Sequence, residues 1–407
     1  MVNEIADIYD YEAGKLIKRL IEFLGENNVK RCLRRHEQAL KSAGPIFGEY
    51  YLKRRHPWLS AFKQYYGLTN RARSIHRHMT PELKALVIDA KKVVTLLKNM
   101  SDSVKNKYKR DFMDMDNARN YLFEIKIAWH FFVKGYGIKW YEEDSIKHPE
   151  FLVTAPDLKF DVECKWISVD IARRIHRKDF YGFADRLTPE IEKREYTGRI
   201  DIVLDDKLYG STIRSLCFKV LELVDGGELK GEYQISPFGT LVLDLNYVSS
   251  VVIDMKERMK KLCERKANEA HGEIFARSKD GKPVDPIELT VMSEKADKVL
   301  YRIEDKISNA EEQLDKSKPG LIVCFLEGVN GFELQKLGSE SGLQLTTKDV
   351  LLKDKFSHVV GIGYSSESMA EKRDSSEEIF GPALFFRNHN CKFEEAKTFT
   401  FVSPPRF

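Results

Sequence analysis

Apolar residues recur at intervals of three and four along much of the first 110 residues, the spacing that lines one face of a helix. A first run lies near the N-terminus, and a second follows Pro81, a residue favoured in the first turn of a helix. The pattern predicts a helical region over residues 1–110. The positions that carry it are Leu16, Leu20, Ile21 and Leu24, then Leu83, Leu86, Val87, Val94 and Leu97.

The next stretch changes from a helical to an alternating pattern. Residues 116–134 carry one apolar stripe and predict an amphipathic helix. Between two of the strand-like runs that follow, Pro156 and Asp157 stand where a β-turn commonly places such residues, so these runs predict a β-hairpin. The strand-like runs are 138–141, 150–154 and 160–166.

Residues 168–290 have the pattern of an α/β insertion. Strands are predicted near 199–204 and 240–245, with helical spacing between and after them. Residues 271–286 predict a loop, because four residues that interrupt regular structure fall within that segment. These are Gly272, Gly281, Pro283 and Pro286.

After the insertion, regular elements return. Residues 296–314 predict a long helix, and 321–326, apolar at every position, predict a strand buried on both faces. Further strands are predicted at 358–364, 383–387 and 398–402. The boundaries divide the chain into a helical region (1–110), a first core part (111–167), the insertion (168–290) and a second core part (291–407).

The bulk composition favours a cytoplasmic protein of two or three domains. A chain of 407 residues is too long for one core. No apolar run approaches the roughly 18 residues that cross a bilayer, and the acidic N-terminus lacks the pattern of a secretory signal. The six cysteines are scattered, which argues against a zinc site and suits reduced thiols.

The net charge of +4 conceals a concentration of basic residues in one region. Residues 31–110 hold 19 Lys and Arg against 5 Asp and Glu. Such a concentration is typical of a surface that binds phosphate backbone, although a solvated basic face without a partner has the same composition. Tyr and Trp are interleaved with these cations at 50–58 and 63–78, and they either stack on bases or face a local core.

The predicted strand 160–166 contains the candidate catalytic residues. In an extended chain Asp161, Glu163 and Lys165 project from one face, whereas Val162, Cys164 and Trp166 project from the other, as a core requires. A charged face inside an assembly of apolar helices and strands is costly unless its carboxylates bind a cation or meet partners. An E-x-K triplet alone is common, and the chain has another at 124–126.

The E-x-K triplet lies on the second arm of a hairpin, after a helix with a flanking Glu and a strand. This order of elements resembles the PD-(D/E)xK nuclease superfamily. This resemblance implies an α/β (α+β) fold, a restriction-endonuclease-like mixed β-sheet core flanked by helices. The family core, α-β-β-β-α-β, is similar to the order from 116–134 to 321–326. By the resemblance, Glu163 and Lys165 match the (D/E)xK pair, and Glu124 matches the helical acid. The N-terminal helical region and the α/β insertion are left unexplained.

The first acid of the family motif has two candidates. Glu150, after Pro149, stands thirteen residues before Glu163 and leaves room for a hairpin. Asp157, in a Pro-Asp pair, lies only six residues ahead of Glu163, in the predicted turn. Geometry favours Glu150, with Asp157 as the alternative metal ligand.

The resemblance implies Mg²⁺, with Mn²⁺ as a substitute. The ion would be held by Glu150 and Glu163 with the Cys164 carbonyl, since Mg²⁺ prefers oxygen ligands and keeps several waters. Lys165 would hold the attacking water or stabilise phosphoryl oxygens, and Glu124 would bind a second ion or orient water. An exposed sheet face with cross-strand ion pairs is the competing interpretation. Gln313 is interpreted as a solvated helix position.

The favoured function is an endonuclease that hydrolyses DNA, in restriction or anti-phage defence by family analogy, with RNA as a variant substrate. A homodimer is expected because cutting both strands usually takes two active sites. The competing classes are a catalytically inactive nucleic-acid-binding protein of the same fold and a scaffold without a nucleic-acid role. The candidate nucleic-acid-binding residues are Arg54, Arg55, Arg71, Arg73, Arg77, Arg173, Arg174, Arg177 and Lys178.

Overall fold

The computed structural model contains two mixed β-sheets, each flanked by helices. It describes residues 10–70, 74–142, 148–248, 271–279, 282–329, 331–339, 342–366 and 384–401. In these ranges no helix combines the length and apolar character that a membrane span requires.

The described part of the N-terminal region is helical, as the apolar spacing predicts, and it contains five helices of ten residues or more. They are α1 (Asp10–Leu24), α2 (Glu26–Ser42), α3 (Leu59–Thr69), α4 (Pro81–Leu96) and α5 (Asp102–Asp111). The hydroxyl of Thr80 accepts a hydrogen bond from the Leu83 amide at the start of α4, with Pro81 in the first turn. The apolar side chains of these helices share one core with the first sheet.

The predicted amphipathic helix and hairpin are both present. Helix α6 (Ala118–Phe132) is followed by β1 (Gly137–Trp140), β2 (Phe151–Thr154) and β3 (Lys159–Ser168). Strands β2 and β3 are antiparallel, with Phe151 opposite Val162 and Thr154 opposite Lys159.

The segment between the two core parts forms a sheet with its own hydrophobic core. Its helices are α7 (Arg177–Lys193) and α8 (Ile213–Asp225). Its strands are β4 (Tyr196–Leu204), β5 (Lys230–Ile235), β6 (Gly239–Tyr247), β7 (His271–Lys279) and β8 (Lys282–Ser293). They are arranged in the order β5-β6-β4-β8-β7.

The loop prediction for 271–286 is wrong over the described residues, because 271–279 and 282–286 belong to the paired strands β7 and β8. Gly281 lies outside the described residues. Pro283 and Pro286 lie in β8 before Ile287, where its pairing with β4 begins. In that part β8 pairs on one side only, so the amide that proline lacks is not needed by a second neighbour.

The last part of the chain completes the first sheet. Its helices are α9 (Val299–Glu311), α10 (Gly331–Ser339) and α11 (Gly342–Leu351). Its strands are β9 (Gly320–Glu327), β10 (Val359–Ser366) and β11 (Leu384–Arg387), in the sheet order β1-β2-β3-β9-β10-β11. Strand β9 runs parallel to β3, so residues more than 150 positions apart become neighbours.

The strand predicted at 398–402 is not formed over Thr398–Phe401, and residue 402 lies outside the described residues. Phe401 is fully buried, and its ring lies 5.3 Å from that of Phe131. Its apolar character reflects packing in the core rather than strand pairing.

Candidate active site

Strand β3 is covered on both faces, which brings its charged residues into the interior. Val162 and Cys164 pack in the core shared with the N-terminal helices, as the alternation predicts. Asp161 and Glu163 have no exposed surface. The charged face of the strand is therefore buried, which contradicts the competing interpretation of an exposed sheet face with cross-strand ion pairs.

Glu163, Lys165 and Gln313 form a hydrogen-bonded group. The Lys165 ammonium donates to Glu163 Oε1. With its amide oriented to satisfy both neighbours, Gln313 donates to Glu163 Oε1 at 3.2 Å and accepts from Lys165 Nζ at 2.8 Å. The interpretation of Gln313 as a solvated position is wrong. It lies in the turn that directly follows α9, where it is half-buried and its backbone amide donates to the carbonyl of Ala310.

The hairpin register places Glu150 opposite Glu163, because Phe151 pairs with Val162. Lys107 on α5 lies 3.8 Å from Glu150, measured from Nζ to Oε2. Asp157 is exposed at the turn, beyond Lys159. Four residues of strand, about 13 Å, separate Lys159 from Glu163, so the register brings Glu150 rather than Asp157 to the site.

Glu124 reaches the same region from α6. It is buried, and the hydroxyl of Tyr108 on α5 donates to its Oε2 at 2.5 Å. The charges of Glu150 and Glu163 both act on the Glu124 carboxyl, so the three acids belong to one electrostatic cluster. Neither Lys107 nor Tyr108 shows a signal in the sequence, since the contact requires α5 to pack beside α6.

The pKa values of Glu124 and Glu163 lie above their ordinary values. Burial, then the nearby Glu150, raises the pKa of Glu163 to about 8. The same two causes raise the pKa of Glu124 well above 4.5. Burial alone would lower the pKa of Lys165, but the adjacent Glu163 outweighs it, and the pKa is raised. The cluster therefore favours a bound proton or another positive charge at neutral pH.

The donor set suits a hard cation in part. In the described ranges no three His, Cys, Asp or Glu side chains are arranged so that they could hold a metal ion together. Glu163 Oε2, however, is buried and has no hydrogen-bond partner. Carboxylate oxygens are the ligands that Mg²⁺ prefers, and it commonly takes only one or two of them, so Glu163 with Glu150 fits such an ion.

Eight of the nine candidate nucleic-acid-binding residues fall into three groups. Arg54, Arg55, Arg77 and Lys178 are exposed, with Arg54 over the ring of Tyr50 and Arg55 paired with Asp116. Arg174 and Arg177 are half-buried and contact Asp206 and Glu327 at 3.4 and 3.1 Å. Arg71 and Arg73 lie outside the described residues.

The assignment of Arg173 to nucleic-acid binding is wrong. Its side chain is buried, hydrogen-bonds to Glu333 and lies 3.7 Å from Asp297. Its guanidinium lies between the two carboxylates and joins the segment after β3 to the residue pair before α9 and to α10, so it has no surface to offer a phosphate.

The aromatic residues of the basic region face cores. Trp58 is fully buried, and its indole nitrogen donates to Asp89 at 2.9 Å. Tyr50 and Tyr51 pack against the core of the second sheet, and Tyr65 and Tyr66 against that of the first. The local-core interpretation of these residues is confirmed.

Comparison with known proteins gives no relative: no family model, no curated protein and no solved structure matches the chain.

Proposed function

We propose that this protein is a metal-dependent nuclease of the restriction-endonuclease-like fold, with DNA as the favoured substrate. The observation that carries the proposal is the Glu163–Lys165–Gln313 group, on a strand whose hairpin partner brings Glu150 alongside. The order α6-β1-β2-β3-α9-β9, with the second sheet inserted after β3, supports the fold because it matches the α-β-β-β-α-β series.

Glu163 and Glu150 would hold Mg²⁺, or Mn²⁺ in its place. When bound, the ion would lower the pKa of a water and neutralise charge on phosphoryl oxygens. Lys165 keeps a proton on Nζ and donates hydrogen bonds to the attacking water or to the oxygens that gain charge. Gln313 fixes the direction of that ammonium, because its amide oxygen accepts from Nζ. Glu124 orients water from the α6 side or contacts a second ion.

The test is Mg²⁺-dependent cleavage of plasmid DNA by Lys165→Ala. Removing a preorganised donor to a developing oxyanion lowers rates by about 100- to 1000-fold, so the variant should lose cleavage while remaining folded. Lys126→Ala is the matched control, since Lys126 belongs to the other E-x-K triplet, is similarly enclosed and lies 3.9 Å from Asp89. Undiminished cleavage by Lys165→Ala would reject the proposal.

A catalytically inactive DNA-binding protein of the same fold is the second candidate. The absence of a three-residue metal group in the described ranges favours it. Binding that weakens steeply with salt, without a product in Mg²⁺ or Mn²⁺ on DNA or RNA, would distinguish this protein from a nuclease.

A further inference from the structure

The solvent-facing side of α2 carries a row of positive charges. After the first turn of this helix, exposed positions recur at intervals of three and four residues, so they form one face. Five of these eight positions hold Lys or Arg, and none holds Asp or Glu. The five cations, called the α2 cationic face below, are Lys30, Arg31, Arg34, Arg35 and Lys41.

The opposite side of α2 is packed in the protein, which fixes the direction of the cationic face. Val29, Cys32, Leu33 and His36 are buried there. The thiol of Cys32 donates to the carbonyl of Met113 at 3.4 Å, in the segment that leads into α6. Glu37, half-buried beside the face, lies 3.0 Å from Lys63 on α3. The helix is therefore held by its neighbours in a way that leaves the cations in solvent.

Like charges are neighbours on this face. Arg34 follows Lys30 by four residues, and Arg35 follows Arg31 by the same interval. At that spacing like charges destabilise a helix, whereas opposite charges stabilise it. The stabilising arrangement occurs on α1, where Lys18 lies 3.9 Å from Glu22. Helix stability therefore does not account for the charge pattern of α2, and a negatively charged partner does.

Little negative charge within the protein neutralises the face. Glu26 lies 2.6 Å from Lys30, and Asn28 accepts a hydrogen bond from Arg31. Over the residues that the structure describes, the side chains of Arg34, Arg35 and Lys41 have neither a hydrogen bond nor an ion pair. Most of the positive charge of the face is therefore directed at solvent.

We propose that the α2 cationic face binds the phosphate backbone of duplex DNA. The inference rests on the proposed function, which supplies DNA as the occupant. The helix rises about 17 Å between Lys30 and Lys41, and duplex DNA carries one negative charge per 1.7 Å of its axis, so about ten phosphates fall within that length. None of the five cations is among the nine candidate nucleic-acid-binding residues named from the sequence.

The chemistry of the face suits phosphate backbone rather than a membrane surface. A helix that lies in a membrane surface inserts apolar side chains beside its cations. Of the eight exposed positions after the first turn of α2, only Ala39 is apolar, and the apolar side of the helix is buried in protein. Three of the five cations are arginines, whose paired N–H donors match two oxygens of one phosphate.

The experiment measures binding of a labelled 30-base-pair DNA duplex by fluorescence anisotropy, in the Lys165→Ala background that prevents cleavage. The double variant Arg34→Gln/Arg35→Gln should weaken binding about 10-fold at low salt. It should also reduce the slope of log K against log salt by about 2, because each phosphate contact contributes about 0.9. The matched control is Arg214→Gln/Lys348→Gln, which removes the same charge from exposed positions of α8 and α11 and should change neither quantity.

Charge reversal separates binding from folding. Arg34→Glu/Arg35→Glu places an acid four residues after Lys30 and another four residues after Arg31, so both like-charge pairs become pairs of opposite charge. The urea midpoint of unfolding should stay the same or rise, while the duplex binds more weakly than it does to Arg34→Gln/Arg35→Gln. Binding by the reversed variant as tight as in the Lys165→Ala background would overturn the inference.

The outcomes separate this surface from the nuclease on which it rests. If the unaltered protein cleaves DNA and Arg34→Gln/Arg35→Gln binds the duplex as the matched control does, the surface alone is overturned. If the duplex binds through Arg34 and Arg35 but no cleavage occurs in Mg²⁺ or Mn²⁺, the surface is supported and the nuclease proposal fails. Binding to duplex RNA or to phosphatidylserine vesicles, with none to duplex DNA, would also overturn the surface.

Discussion

The buried carboxylate of Glu163 predicts that the metal-free protein loses stability as the pH rises. The pKa of Glu163 is about 8 in the folded protein, against an ordinary value of 4.5. Between these values the folded state holds a proton that the unfolded state has released. Stability therefore falls as the pH rises through this window, is fully retained below about 4.5 and does not fall further above about 8.

The magnitude follows from the two pKa values. One pH unit of difference between the folded and unfolded pKa corresponds to 1.36 kcal/mol, so the loss has an upper limit of about 5 kcal/mol. Lys165 is hydrogen-bonded to Glu163 and shares that change, so a measured loss of about 2 to 4 kcal/mol agrees with the structure. Buried His56, His130 and His271 act in the opposite direction, because burial lowers their pKa values.

Comparison with Glu163→Gln removes the histidine contribution, since it is common to both proteins. The assay is urea unfolding in EDTA from pH 5 to pH 8.5. The two proteins should differ least near pH 5, where Glu163 is protonated and resembles Gln, and the difference should grow in favour of Glu163→Gln towards pH 8. A difference that stays constant across the range would refute the assignment of Glu163 as a buried, proton-holding acid.

Added metal extends the same experiment to the proposed function. At pH 8, Mn²⁺ in excess over its dissociation constant should restore stability to the unaltered protein, because the ion replaces the proton on the carboxylate. Glu163→Gln should gain little. Equal stabilisation of both proteins by Mn²⁺ would place the ion elsewhere and leave the pH result intact.

The remaining predictions concern three side chains. Gln313→Ala should lower the rate of Mg²⁺-dependent cleavage about 10- to 100-fold by releasing the Lys165 ammonium. Thermal unfolding checks that the variant is folded, and an unchanged cleavage rate would contradict the prediction. Arg173→Met should destabilise by about 3 to 5 kcal/mol in urea unfolding, because it leaves two buried carboxylates without their cation, and should leave the salt dependence of DNA binding unchanged. Trp58→Phe should lower the free energy of unfolding by about 1 to 3 kcal/mol, because the buried Asp89 loses the hydrogen bond from the indole nitrogen; a loss of DNA affinity without a loss of stability would restore the base-stacking interpretation.

Local periodicity accounts for the elements that the sequence could predict. Helix α6 and the β2–β3 hairpin depend on spacing within one segment, and both agree with the pattern. The hairpin register then leads directly to Glu150, because counting back from Glu163 through a short turn leaves one acid opposite it. Gly and Pro in 271–286 predict interruptions, but the sequence does not show that β8 pairs on one side only where Pro283 and Pro286 lie.

Contacts between distant segments account for what the sequence could not show. Arg173 stands in a basic stretch and looks like a surface residue, yet its partner Glu333 lies 160 residues further along the chain. Gln313 meets Lys165 only because β9 lies parallel to β3 and α9 packs across their face. No pattern within either segment contains that information.

The position of the second sheet follows from the same parallel pairing. Strand β3 ends at Ser168 and β9 begins at Gly320, and the chain between them must leave the first sheet and return beside β3. Ion pairs connect the chain at both points. Arg177 at the start of α7 contacts Glu327 at the end of β9, and Arg173 contacts Asp297 before α9. The first contact keeps solvent access and the second is buried, so water screens the first more than the second. Removing Arg173 should therefore disturb the junction between the two sheets more than removing Arg177.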